Sequence, residues 1–171
     1  MKKLNGFSLI EIMVTIAIIA ILMGVGVPSM MGMIAGNRLT TQTNDLVADI
    51  SFARAEAIRR NQSVTFCRTA TATSHTCADG TTWTHWIVTN NPAAGVDANT
   101  LRRGSLSSAA SSELTLSSTF PSSRVVFRSN GLADGAGSLQ LCSSRVSSEN
   151  VRLLDVGGGG RVTNTKQSGT C

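Results

Sequence analysis

The sequence predicts an α+β fold: one long N-terminal helix packed on an antiparallel β-sheet head. Three observations predict it. An apolar run from Phe7 to Val27 is interrupted only by Ser8, Glu11, Thr15, Gly24 and Gly26. Apolar residues then recur at helical spacing as far as Arg60. Beyond Arg60, short alternating runs rich in Val, Thr, Leu and Phe are separated by turn residues.

The apolar run is the first element. At about 1.5 Å per residue it is long enough for the roughly 30 Å hydrocarbon core of a bilayer. It predicts a transmembrane helix over 7–28. Lys2 and Lys3 precede it, and positive residues stay on the cytoplasmic side. The bulk of the chain is therefore expected across the inner membrane, in the periplasm. A cleaved secretory signal would have a shorter apolar region and a small-residue exit, and no such exit follows this run. Gly24 and Gly26 weaken the helix, and Pro28 predicts a kink. Gly32 and Gly36 form a small-xxx-small pair that permits close helix contact.

Glu11 stands out within this run. A carboxylate in a membrane helix costs about 2.5–3.5 kcal/mol on insertion scales. Near the cytoplasmic interface it can snorkel to the headgroups. Otherwise it needs a partner of opposite charge.

The second element is an amphipathic helix over 29–61. Leu39, Leu46, Ile50, Ala53 and Ala57 share one face. Arg38, Asp45, Asp49, Arg54, Glu56, Arg59 and Arg60 mostly fall elsewhere. Asn61 is a suitable stop. The helix is thus expected to be continuous with the membrane segment and to lay its second half on a sheet.

The segment 62–171 is β-rich. Strands are predicted at Ser63–Cys67, Thr82–Thr89, Glu113–Ser118, Arg124–Ser129, Ser138–Ser143 and Asn150–Val156. Turn signals separate them: "ADG" at 78–80, "NNPAAG" at 90–95, "SNG" at 129–131 and "DGAG" at 134–137. The run Gly157–Gly160 reads as a flexible turn into a last strand. No G-K-[ST] follows it, so it is not a phosphate loop. Ser105–Ser123 reads as a variable loop with one short strand. Such spacing suits antiparallel meanders in one or two sheets.

Cys67, Cys77, Cys142 and Cys171 all follow the apolar run. Without C-x-x-C spacing, and with two histidines in the chain, a zinc site is not supported. An even cysteine count in an exported chain favours disulfides. Four cysteines allow three pairings. Cys67–Cys77 and Cys142–Cys171 are favoured, because short loops close at the least entropic cost.

Little else carries chemistry. The net charge of +5 is concentrated in the C-terminal part and suits either a soluble basic surface or an anionic partner. His75 lies in a Thr/Ser-rich loop between two cysteines, and His85 lies between Trp83 and Trp86. Neither has an acid or a nucleophile nearby in sequence, so the chain reads as a non-enzyme without a cofactor or metal. Strand alternation puts Trp83 and Trp86 on opposite faces, one in the core and the other available as a surface anchor.

Two stretches carry a family resemblance. "GFSLIEIMVTIAIIAIL" resembles the N-terminal signature of type IV pilins and type II secretion pseudopilins. "ARAEAIRRNQSVTFC", the W-x-x-W-I-V run, "RSNGLA", a Cys-bearing strand, and a late "GR" before a terminal Cys are similar to the GspH/FimT branch of that family, including FimU-like proteins. The resemblance implies the type IV pilin fold. It implies a leader of residues 1–6, removed by prepilin peptidase between Gly6 and Phe7, and N-methylation of Phe7. It makes Glu11 the assembly carboxylate, which meets the Phe7 ammonium of a neighbouring subunit. Opposite charges attract strongly at low dielectric and offset part of their desolvation.

Members of this branch are minor subunits at or near the fibre tip. The expected function is that of a minor pilin that helps other minor and major pilins to prime a type IV pilus. One alternative is DNA capture in natural transformation. Related proteins of that kind use a basic G-R-x-R element; here Gly160-Arg161-Val162-Thr163 has one arginine, so Arg161 and Lys166, helped by Arg152, would be the contacts. The bland reading of the same tail is a segment stapled to the head through Cys171. A second alternative is the minor pseudopilin of a type II secretion system.

Overall fold

The computed structural model describes residues 7–93, 95, 97–107 and 113–171, with backbone alone over 25–29. Gly6 and the rest of the leader, and the centre of the Ser105–Ser123 loop, lie outside the described residues. So does the side chain of Pro28, on which the expected kink rests.

Helix α1 runs unbroken from Leu9 to Arg60. Its 52 residues span about 78 Å. Ser8 caps the start, its hydroxyl accepting from the Glu11 backbone N–H. Asn61 caps the end in the left-handed conformation, φ 51° and ψ 37°, and its N–H reaches the Ala57 and Ile58 carbonyls. Asn adopts that conformation more readily than most residues, which is why the helix stops there.

The two halves of α1 differ in what they bury. Phe7, Leu9, Ile10 and the isoleucines that follow stay exposed, and Met30, Met31, Met33 and Ile34 continue the exposed stripe. From Ala35 onward one face is covered. Leu39, Leu46, Ile50, Ala53 and Ala57 are fully buried, as their spacing predicts. Thr43 lies on the same face because its hydroxyl donates to the Leu39 carbonyl at 2.6 Å, which satisfies it without water.

Two antiparallel sheets cover this face. Sheet A has the order β3-β2-β1-β5-β6, from β1 (Val64–Thr69), β2 (His85–Thr89), β3 (Thr100–Ser105), β5 (Arg124–Phe127) and β6 (Ala133–Asp134). Sheet B has the order β4-β7-β8-β9, from β4 (Leu114–Ser118), β7 (Gly137–Ser143), β8 (Val151–Val156) and β9 (Val162–Gln167). One core joins both sheets to the helix, with Phe66, Phe127, Leu139 and Leu154 at its centre.

The structure corrects the reading of the tryptophans. Both are buried, so neither is a surface anchor. Strand β2 begins at His85, and strand alternation does not extend back to Trp83. The chain instead crosses to sheet B there. Thr82 bridges to Ser117, and the Trp83 N–H donates to the Leu116 carbonyl at 2.8 Å. Trp83 then stacks on Phe66, with ring centroids 5.4 Å apart.

The disulfides are Cys67–Cys77 and Cys142–Cys171. The first ties the β1–β2 connection to its strand. The second ties the segment after β9 to β7.

Candidate functional site: an assembly helix and a basic groove

The residues expected to serve assembly lie at the exposed start of α1. Phe7 is 78% exposed, and Glu11 is exposed one turn into the helix. Glu11 also has a local place in the helix, which its role as a lone acid in an apolar run does not require. It stands three residues after the N-cap Ser8, the S-x-x-E spacing of a capping box. A carboxylate there also faces the positive end of the helix dipole. Helix geometry thus provides one reason for an acid at this position before any partner arrives. Among the described residues no helix is long and apolar enough to cross a membrane.

Among the polar contacts that fasten the head to α1, beside Arg38 with Glu113 at 3.0 Å, two are built around glycines. At the first, Asp49 is buried at 3% exposure and accepts from the Trp86 indole N–H at 2.6 Å. Its other oxygen lies 2.6 Å from the Arg102 Nε, as an ion pair without hydrogen-bond alignment. Arg102 in turn lies over the Phe52 ring. Burial pushes the Asp49 carboxyl above its ordinary range, against the lowering effects of Trp86 and Arg102. Gly104 leaves room for this contact: a Cβ there would sit 2.1 Å from the indole nitrogen and 2.7 Å from the Asp49 carboxylate.

The second fastening joins three parts of the chain that the family signature had marked separately. Arg54, in "ARAEAIRR", donates through Nε to the Gly131 carbonyl at 3.1 Å. Gly131 belongs to "RSNGLA". Gly160, from the late "GR", packs against both residues. A Cβ on Gly160 would lie 2.2 Å from the Gly131 oxygen, and its φ of +70° is in the left-handed region. The Ala133 N–H also donates to the Gly158 carbonyl at 2.9 Å. The glycine run is therefore a joint between the sheets at its Gly160 end and not a free turn throughout. Its exposed residues are Gly157, Gly158 and Gly159.

Between α1 and the start of β9 lies an open groove of about 370 Å³, lined by Val47, Arg54, Ala55, Ile58, Arg161 and Val162 among others. Arg161 is exposed on its rim. The other two basic candidates are differently placed. Lys166 is exposed but sits 3.9 Å from the Glu149 carboxylate. Arg152 is 7% exposed and donates to the Glu149 and Val151 carbonyls. That withdraws Arg152 from any surface contact. It pairs across the ladder with Lys166 and faces inward because it shares a side of β8 with the buried Leu154 and Val156.

His75 lies within 3.4 Å of Asp97 and 3.2 Å of Thr100, on Nδ1 in both cases. A triad needs the acid on one ring nitrogen and the nucleophile on the other, so the cluster does not have a relay geometry. Among the described residues no group of His, Cys, Asp and Glu could hold a metal ion.

Comparison with known proteins follows the same division of the chain. The family of the type II transport protein GspH matches over residues 42–160. The prokaryotic N-terminal methylation motif matches over residues 1–27. No curated protein matches the chain by sequence. The crystal structure of the type IV minor pilin FimU from Pseudomonas aeruginosa (strain PAO1) in space group P21 is similar, with a TM-score of 0.57 and 18% identity over 75% of this chain and 89% of that one. A second FimU crystal form, in P65, gives 0.55 and 17% over 74% and 91%. The solution structure of Escherichia coli GspH gives 0.47 and 17% over 78% and 91%.

Proposed function

The chain belongs to the GspH family of minor pilins and pseudopilins, and we propose that it is a minor pilin incorporated at or near the tip of a type IV pilus, where it helps to prime assembly. The observation that carries this reading is the exposed apolar stripe over Leu9–Met23 and Met30–Ile34, on a helix whose other half is anchored in the head. Exposed isoleucines and methionines in such number are stable in lipid or against other apolar helices, not in water.

In this reading residues 7–28 span the inner membrane with the head in the periplasm. Prepilin peptidase cuts between Gly6 and Phe7, and Phe7 is N-methylated. The new Phe7 ammonium then meets Glu11 across a subunit contact. The pair sets the axial register of the incoming subunit, since a charge at low dielectric tolerates no slip from its partner.

Replacing Gly6 by Ala is expected to leave the leader attached. Intact-mass measurement of the purified chain would show it, and the variant would be missing from sheared fibres. A processed variant that still enters fibres would overturn the reading.

The match to the family of the type II transport protein GspH favours a second reading: the minor pseudopilin of a secretion machine. Copurification of the full-length chain from membranes separates the two by the set of subunits that accompanies it. The DNA-capture reading keeps Arg161 as its single surface candidate without a carboxylate partner, because Lys166 is paired and Arg152 is buried.

A further inference from the structure

Sheet B ends in an edge strand. β9 pairs with β8 on one side and, among the described residues, has no strand on the other. The opposite edge of the same sheet is protected, since the Thr81–Trp83 segment bonds along β4 through Trp83 N–H to Leu116 and Ser118 N–H to Thr81. Exposed edges are usually blunted by proline, bulges or several lysines. β9 has no proline, keeps a continuous register with β8, and carries one lysine, Lys166.

The groove beside this edge has a mixed character. Its floor is apolar: Val47, Ala55, Ile58 and Val162. Ile58 is 52% exposed and Leu132, just past Gly131, is 47% exposed. Beyond Ile34 these are the only exposed large apolar side chains among the described residues. Gly131 lies against Ile58, so both border the same end of the head. Arg54 and Arg161 flank the floor, and neither meets a carboxylate among the described residues.

We propose that this edge and groove receive an extended acidic segment of a neighbouring subunit, added to β9 as a fifth strand of sheet B. Main-chain hydrogen bonds to β9 supply the affinity, and alternate side chains supply the selectivity. Apolar residues of one parity face Val47 and Ile58. Carboxylates at one end meet Arg54 and Arg161. That the partner is a subunit rests on the assembly reading above; the strand addition itself does not.

The test uses the full-length chain in detergent and an octapeptide of alternating valine and threonine that ends in two glutamates. A peptide with lysine in place of glutamate and a single-stranded oligodeoxynucleotide serve as controls. The acidic peptide is expected to bind and to slow hydrogen exchange at the β9 amides that point away from β8. Arg161→Glu is expected to weaken binding about tenfold. Ile58→Asp, on the helix and clear of the strand, is expected to weaken it comparably and keeps the test readable if the first variant disturbs the turn. Unchanged β9 exchange at millimolar peptide would overturn the proposal, as would equal binding of the lysine peptide. Binding of the oligonucleotide but not of the acidic peptide would also overturn it, and would mark the groove as a nucleic-acid surface. Because none of these readouts needs a fibre, their failure leaves the assembly role of Glu11 standing.

Discussion

Two carboxylates on α1 titrate in opposite directions because their surroundings differ. Asp49 is lifted above its ordinary range, first by burial, with Trp86 and Arg102 only partly offsetting it. Glu56 is held down to about 2, first by its hydrogen bonds from Arg59 and then by those from Arg60. The signs follow from linkage. The contribution of Glu56 is complete above about 4.5 and is lost as pH falls toward about 2. Asp49 binds its proton more readily in the folded chain, so its contribution improves as pH falls through the raised value toward 3.8. Urea unfolding, followed by the fluorescence of the buried Trp83 and Trp86, reads both effects. Glu56→Gln is expected to flatten the acid loss between about pH 4.5 and 2. Asp49→Asn is expected to steepen the net acid loss, because the opposing contribution is gone. If both variants matched the parent curve, the environments described for these residues would be wrong.

At the scale of elements, the interior was easier to read than the edges. The buried stripe of α1 and the strands β1, β4, β5, β7 and β8 alternate or cluster apolar residues because each has packed neighbours. β3 is hidden because it carries Arg102 and Arg103, and β6 because it has two residues, of which Asp134 already belongs to a turn signal. β9 reads as a polar tail, and its range could not be drawn from the pattern. An edge strand has a neighbour on one side only, so its side chains need not be apolar. The inter-element contacts were invisible for another reason: Asp49 with Trp86, and Arg54 with Gly131 and Gly160, join residues far apart in sequence. Only the glycines hinted at them. The cystines hold these elements unequally. Cys142–Cys171 closes a loop of sequence separation 29, worth about 3–4 kcal/mol in the chain-entropy account. Replacing both cysteines by Ser is expected to lower stability by about that amount. It should also speed hydrogen exchange in β8 and β9 while β1 and β2, beside the other cystine, keep theirs. Uniform acceleration across both sheets would show that the tail is not held as a separate edge.

On the scale of the whole molecule, the proposed function divides folding and assembly between the two halves of one helix. From Ala35 to Ala57, α1 is part of the core of the head, and changes there alter stability. Over Phe7–Met23 and Met30–Ile34 its large apolar side chains are exposed, so they contribute little to the head, and the proposed function leaves them for partners. Glu11 belongs to the second class. It has no ion pair among the described residues, and roughly 36 Å of helix separates it from Ala35, where the buried face begins. A helix of about 78 Å makes that separation large enough to test. Glu11→Gln keeps size and helix propensity but removes the charge. It is expected to leave the unfolding midpoint of the head, read through Trp83 and Trp86, where it was, and to deplete the chain from sheared fibres about tenfold or more, because the desolvated Phe7 ammonium of a neighbour then lacks its partner. A variant that entered fibres at the parent level would remove the charge pair from the assembly reading. A variant that lost head stability would show that the two halves of the helix are not independent.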